Sequence, residues 1–181
     1  MENSSNNSEF LKNAEAKIQQ KVSIAKENAL TEREYEDVSE AEYEMQSIQN
    51  MRELTDKEVF HYHQFRDKMN KASIEVETLT EARRVMGILG FDPHSIIDTL
   101  SHENAHGNKA EELGAKHLGY KFVLIKSANG GFLVQPQAMT YIPDEWDKEK
   151  QNDTEMKILQ APEEYGNEMS QSDKNYLEDL K

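Results

Sequence analysis

Hydrophobic residues recur every three or four positions along most of this chain, which is the spacing of an amphipathic helix. One stretch, residues 120–126, is instead a run of β-branched and aromatic side chains. Asn129-Gly130, a strong signal for a hairpin turn, follows it, and residues 132–135 form a second apolar run. We therefore expect an α+β fold that is mostly helical, with one β-hairpin after the central helix. The predicted helices begin at Ser8, Thr31, Thr55, Thr80, Asp92 and Pro143, and the last of them ends before Pro162.

The same pattern predicts three parts of the chain. Residues 1–50 form an acidic helical arm that is partly flexible, because its apolar positions are sparse and its glutamates are many. This arm is either an acidic interaction segment or, as we prefer, a charged helix that lies over the domain or coils with a partner. Residues 51–162 form the helical core with the hairpin. Residues 163–181 form a polar tail with at most one short helix.

Charge and composition narrow the function. The 181 residues carry a net charge of −14, with 31% charged and 36% hydrophobic residues. This acidic balance argues against binding to nucleic acid or to an anionic membrane surface. The chain has no cysteine, so any metal must be held by histidine, aspartate or glutamate. We find no signal peptide and no apolar run of membrane-spanning length, and we expect a soluble, cytoplasmic protein.

The candidate chemistry lies in the central predicted helix. Asp92 and Pro93 form a helix start, with Asp92 as N-cap. The sequence His102-Glu103-Asn104-Ala105-His106 follows, and histidines four apart on a helix can direct two imidazoles at one metal ion. Glu103 lies about 100° away from His102, where a carboxylate can take a proton from an activated water. The apolar stripe that anchors this helix lies on the opposite side from the histidines and consists of Ile96, Ile97 and Leu100.

This five-residue motif, of the form H-E-x-x-H, resembles the active-site helix of the zincin metallopeptidases. The resemblance implies that His102 and His106 bind zinc and that Glu103 activates the attacking water. It covers one helix, and Asn108 departs from it because a hydrophobic residue is usual there. The order of elements also differs, since zincin folds usually place their sheet before this helix and the hairpin here follows it.

A catalytic zinc site needs a third protein ligand. We predict Glu112, which stands ten residues after His102, as the third ligand does in the metzincin pattern. On a continuous helix Glu112 would point about a quarter-turn away, so this prediction requires Gly107 to break the helix. Alternatively the helix continues to Leu113, with Gly114 as its cap, and the ligand comes from elsewhere. The other candidates are Glu111, His117, Asp144, Glu145, His61, His63 and His94.

Two functions therefore follow from the sequence. The first is a zinc-dependent metallopeptidase or hydrolase that acts on a peptide or protein through a metal-activated water. The second is a non-catalytic, acidic helical interaction protein in which the motif is incidental. We favour the first, because the helix start and the apolar stripe agree with the motif independently of it.

Overall fold

The computed structural model describes residues 3–180 of the chain, and this part contains seven helices and four strands. Met1 and Glu2, which belong to the predicted arm, lie outside it. The expected α+β class, mostly helical, is confirmed. No helix in the described part combines the length and the hydropathy needed to cross a membrane. In chain order the elements are α1 (Asn3–Glu27), β1 (Leu30–Thr31), α2 (Glu32–Met51), α3 (Asp56–Lys71), β2 (Ser73–Val76), α4 (Leu79–Leu89), α5 (Pro93–Glu112), β3 (Lys116–Lys126), β4 (Phe132–Tyr141), α6 (Lys148–Glu164) and α7 (Gln171–Asp179).

Capping residues set most of the helix starts. Thr55 caps α3 as predicted, and its hydroxyl and the carboxylate of Glu58 form a reciprocal capping box. Thr78 is the N-cap of helix α4, and the predicted start at Thr80 was two residues late. The reason is local, because Thr78 makes the same reciprocal pair with Glu81.

Strand β3 is the centre of a four-stranded sheet and pairs with the other three strands. The short β1 pairs with it in parallel, with Leu30 opposite Ile125. The predicted hairpin between β3 and β4 is confirmed. In its turn the N–H of Gly130 donates to the carbonyl of Ser127, and Gly130 has a positive φ of 85°, a conformation that glycine adopts without strain.

The chain divides into two compact units. The first comprises the chain up to Ile74 together with Phe122–Gln135, and the second comprises Glu75–Lys121 together with the chain from Pro136 onward. Core residues of the first unit are Leu30, Val38, Met69, Ala72 and Val123. In the second unit Ala110, Ala115 and Ile158 form a core cluster, against which Leu113 and Ile142 pack.

Helix α1 is buried along one face, although its apolar stripe is thin. Ile18 and Val22 are each 3% exposed, and Ala25 is fully buried. These residues lie three or four positions apart, as the helical spacing predicted. An isoleucine, a valine and an alanine therefore suffice to form a buried face on this helix.

Helix α6 differs from the prediction at both ends. It begins after Asp147, whose side chain accepts the N–H of Lys150, and not at Pro143. It also continues through Pro162 to Glu164, where the sequence predicted a stop. Proline lacks the N–H that bonds the carbonyl four residues earlier, but helical φ suits its ring, so it can stand in a last turn that other contacts hold.

Candidate metal site

Helix α5 carries the predicted motif on an unbroken helix of 20 residues. Asp92 caps it as predicted, accepting the N–H groups of His94 and Ser95 at 3.0 and 3.1 Å. Gly107 does not interrupt the helix, which ends with Leu113 as its cap. Gly114, with a φ of 83°, follows. The two histidines of the motif therefore lie one turn apart on the same side of α5, with their ring centres 4.9 Å apart and their ring planes at 82°.

Three potential ligand atoms come together beside α5. The Nε2 atoms of His102 and His106 are 3.3 Å apart. Oδ2 of Asp173, on α7, lies 3.0 Å from Nε2 of His102 and 3.6 Å from Nε2 of His106. Two imidazoles and one carboxylate thus form a group that could hold a metal ion.

The spacing of this group suits tetrahedral zinc. Zinc binds histidine nitrogens and carboxylate oxygens at about 2.0–2.2 Å, which places neighbouring tetrahedral ligand atoms roughly 3.3–3.6 Å apart. The separations of 3.3 and 3.6 Å fall within that range, and the 3.0 Å between His102 and Asp173 is slightly shorter. Three protein ligands leave one tetrahedral position for water, as in catalytic zinc sites.

His106 is oriented by a backbone carbonyl. Its Nδ1 lies 2.7 Å from the carbonyl oxygen of Ile158 on α6, and the side chain is buried. A carbonyl oxygen can only accept, so Nδ1 carries the proton, and in the neutral ring Nε2 presents its lone pair to the ligand group. Burial alone would lower the pKa of His106, but the hydrogen bonds to Asp173 and Ile158 outweigh it and raise that pKa.

Asp173 is held by the start of its own helix. The hydroxyl of Ser170 donates to Oδ2 of Asp173 at 2.6 Å, and the Ser170 N–H donates to the same atom at 3.2 Å. Burial alone would raise the pKa of Asp173, but hydrogen bonds from His102, His106 and Ser170 hold it well below its usual range. The carboxylate is therefore ionised, as a metal ligand must be.

Glu103 is buried next to the ligand group. Glu103 is 8% exposed, and its Oε2 accepts the N–H of Ala138, on β4, at 2.7 Å. Burial raises the pKa of Glu103, and the charges of His106 and His102 partly counteract this. A buried carboxylate with a raised pKa has the properties of a general base.

Glu112, the predicted third ligand, does not belong to the group. Its carboxylate accepts the hydroxyl of Tyr165 at 2.6 Å and the ammonium of Lys109 at 3.3 Å. Because α5 is continuous, Glu112 points about a quarter-turn away from the histidines. Within residues 3–180, none of the other candidates belongs to the group either. They were Glu111, His117, Asp144, Glu145, His61, His63 and His94.

The sequence reasoning missed Asp173 because 71 positions separate it from His102. One local signal was available, since Ser170 and Asp173 stand three apart and form the capping box that starts α7. That signal predicts a helix, but it does not predict which element the helix packs against.

Comparisons with known proteins found no similar protein. Neither the family models nor the curated proteins contain a match to the sequence, and no solved structure matches the fold. The geometry of the second unit therefore carries the functional argument. In that unit two histidines and one carboxylate can hold a metal ion.

Proposed function

We propose that this protein is a zinc-dependent hydrolase that cleaves peptide bonds, with His102, His106 and Asp173 as the metal ligands. The observation that supports this most strongly is the spacing of their three ligand atoms at 3.0–3.6 Å. In the neutral ring of His106 the Nδ1–H bonds the Ile158 carbonyl and leaves Nε2 as the ligand atom, and Asp173 is ionised, as ligation requires. The resemblance of the motif to zincin helices supports zinc and a peptide substrate in particular.

When bound, zinc would polarise the substrate carbonyl and lower the pKa of a coordinated water. Glu103 would then take the proton of the attacking water. Its Oε2 accepts the N–H of Ala138, which holds the side chain in place. Burial raises the pKa of this carboxyl, which makes it a stronger base than a solvated glutamate.

The proposed substrate is a peptide or protein, and the proposed location is the cytoplasm. The net charge of −14 disfavours nucleic acid and anionic membranes as partners. The same charge favours association with cationic segments of a polypeptide at low ionic strength.

The test measures zinc and cleavage in the same preparations. The wild-type protein should bind about one zinc per chain. Glu103→Gln should keep the zinc, because Glu103 is not a ligand and a carboxamide oxygen can still accept the Ala138 N–H. It should lose peptidase activity by on the order of a hundredfold or more, because the carboxamide cannot take a proton. The activity is measured as cleavage of a protein mixture read by mass spectrometry.

The matched control is Glu111→Gln, which makes the same change at an exposed position of α5. It should leave both zinc content and cleavage unchanged. Equal cleavage by wild-type protein and Glu103→Gln would contradict the proposed chemistry, and absence of zinc after reconstitution near neutral pH would contradict the metal site itself.

A second candidate, a non-catalytic interaction protein, has support in the first unit. Three large apolar side chains of α2 and α3 are more than half exposed there: Tyr43, Met51 and Phe60. Exposed apolar side chains of this size are common at partner-binding surfaces. Under this candidate, zinc binding leads to no cleavage, and Glu103→Gln changes nothing that can be measured.

A further inference from the structure

Pro162 stands inside α6, two residues before its end, and is fully buried. Proline is ordinarily disfavoured inside a helix because it has no N–H and its ring crowds the carbonyl four residues earlier. In a regular helix residue 162 would donate its N–H to the carbonyl of Ile158. With proline at this position that hydrogen bond is missing.

The Ile158 carbonyl is the group that receives Nδ1 of His106, at 2.7 Å. The carbonyl that orients His106 therefore lacks the donor that it would have in a regular helix. Both observations concern the same oxygen atom, but they come from different elements, since His106 is on α5 and Pro162 is on α6. A proline that served only to end the helix would not need to stand four residues after this particular carbonyl.

We propose that Pro162 is a positioning residue of the metal site. By withholding an N–H from the Ile158 carbonyl, it keeps that oxygen for His106 and so favours the Nδ1-protonated tautomer. In the neutral ring, Nε2 of His106 then presents its lone pair towards His102 and Asp173, at 3.3 and 3.6 Å. This inference rests on the proposed metal site, and it adds to that site a residue that does not touch the metal.

The experiment compares two substitutions that restore the N–H. Pro162→Val keeps most of the buried volume, and Pro162→Ala reduces it. In both, the new N–H competes with His106 for the Ile158 carbonyl. We expect both variants to bind zinc on the order of tenfold more weakly than wild type, as is typical when a group that orients a metal ligand is lost. Affinity is measured by competition with a zinc chelator.

Pro143→Val is the matched control, because it replaces a proline in the segment before α6 and should leave zinc affinity unchanged. If Pro162→Ala weakens binding and Pro162→Val does not, packing and not the N–H is responsible, and the proposal is overturned. Wild-type affinity in both variants overturns it as well.

A second readout does not depend on zinc. In metal-free wild-type protein, nitrogen-edited NMR should detect a protected proton on Nδ1 of His106, and this proton should exchange faster in Pro162→Val. A wild-type spectrum with His106 protonated only on Nε2 overturns the proposal even if neither variant folds. Failure of the wild type to bind zinc would contradict the proposed function, and the NMR comparison would still decide the role of Pro162.

Discussion

The carboxylate of Asp173 receives both hydrogen bonds of Ser170 on Oδ2, the atom that lies 3.0 Å from Nε2 of His102. Ser170 thus has two tasks, because it also caps α7 by accepting the N–H of Asp173. Groups that hydrogen-bond a metal ligand fix its orientation and its basicity. The hydroxyl of Ser170 should therefore contribute to metal affinity as well as to helix stability.

Ser170→Gly separates these two tasks. Glycine is a tolerated N-cap that costs only a few tenths of a kcal/mol, but it has no hydroxyl to donate to Asp173. We expect zinc affinity to fall on the order of tenfold, while Ser170→Thr, which keeps a hydroxyl, retains wild-type affinity. Isothermal titration with zinc measures both.

The control for Ser170→Gly is Thr78→Gly, which removes the equivalent capping hydroxyl from α4. Thr78 makes its capping box with Glu81 and not with a predicted ligand. Equal losses of zinc affinity in the two glycine variants would attribute the effect to helix stability in general and would contradict the role of Ser170.

Two glycines of the second unit should respond to alanine in opposite directions. Gly119 has a φ of 119°, and an added Cβ would lie 2.2 Å from the backbone oxygen of Val76. Gly119→Ala should cost at least about 2 kcal/mol, because a backbone atom cannot yield as a flexible side chain does. Gly87 is in α4 with open space around it, and Gly87→Ala should stabilise the protein by about 0.5–1 kcal/mol. Chemical denaturation of both variants tests this, and a destabilised Gly87→Ala variant would contradict the helix-propensity argument.

Helix α1 shows why a sparse apolar stripe still indicates a buried face. The arm was predicted to be partly flexible because its apolar positions are sparse and its glutamates are many. The buried positions nevertheless recur at helical spacing, and the short strand β1, which follows α1, pairs with β3. Burial on one face, and not the average composition, decides how firmly a helix is held.

Two isoleucines of α1 provide a matched test of this point. Ile18 is 3% exposed and Ile24 is 49% exposed. Ile18→Ala should lower the free energy of unfolding by about 2–4 kcal/mol, since it removes a buried side chain and leaves a cavity. Ile24→Ala should change it by less than about 0.5 kcal/mol. Thermal unfolding followed by circular dichroism measures both, and similar effects at the two positions would show that α1 is not part of the core.

Zinc should stabilise the folded protein. The proposed ligands are far apart in sequence and come together only in the folded chain, so zinc should bind the folded state and not the unfolded state. His102 and His106 lie on α5, and Asp173 lies on α7 near the C-terminus. A ligand that binds only the folded state adds stability by mass action, by about 2.7 kcal/mol when free zinc is roughly a hundred times its dissociation constant. We expect zinc to raise the unfolding temperature of the wild-type protein accordingly.

Asp173→Asn should abolish this zinc-dependent stabilisation, because the carboxamide is a poor substitute for the ionised ligand. Glu112→Gln should retain it, since Glu112 bonds Tyr165 and Lys109 and lies outside the ligand group. The two variants thus distinguish the third ligand that the sequence predicted from the one that the structure brings into place. Loss of stabilisation in Glu112→Gln alone would restore the earlier assignment.

Features that depend on neighbours within about one helical turn could be predicted from the sequence. Capping residues predicted the start of α3 and of α5, Asn129-Gly130 predicted the hairpin, and the four-residue spacing placed His102 and His106 on one helix face. Such features follow from hydrogen bonds and side-chain periodicity that a short segment already contains. Two candidate ligands and the candidate general base could therefore be predicted from the sequence.

The groups that complete the candidate site come together through contacts between residues that are distant in sequence. Asp173 reaches the histidines across 71 positions of sequence, Ala138 engages Glu103, and the Ile158 carbonyl orients His106. The sequence contains many acidic residues that could have served as the third ligand, and nothing local distinguishes them. Packing of α5 against α6, and the position of α7, select one carboxylate and one carbonyl, because those contacts depend on the whole arrangement of helices and not on the residues beside them in the chain.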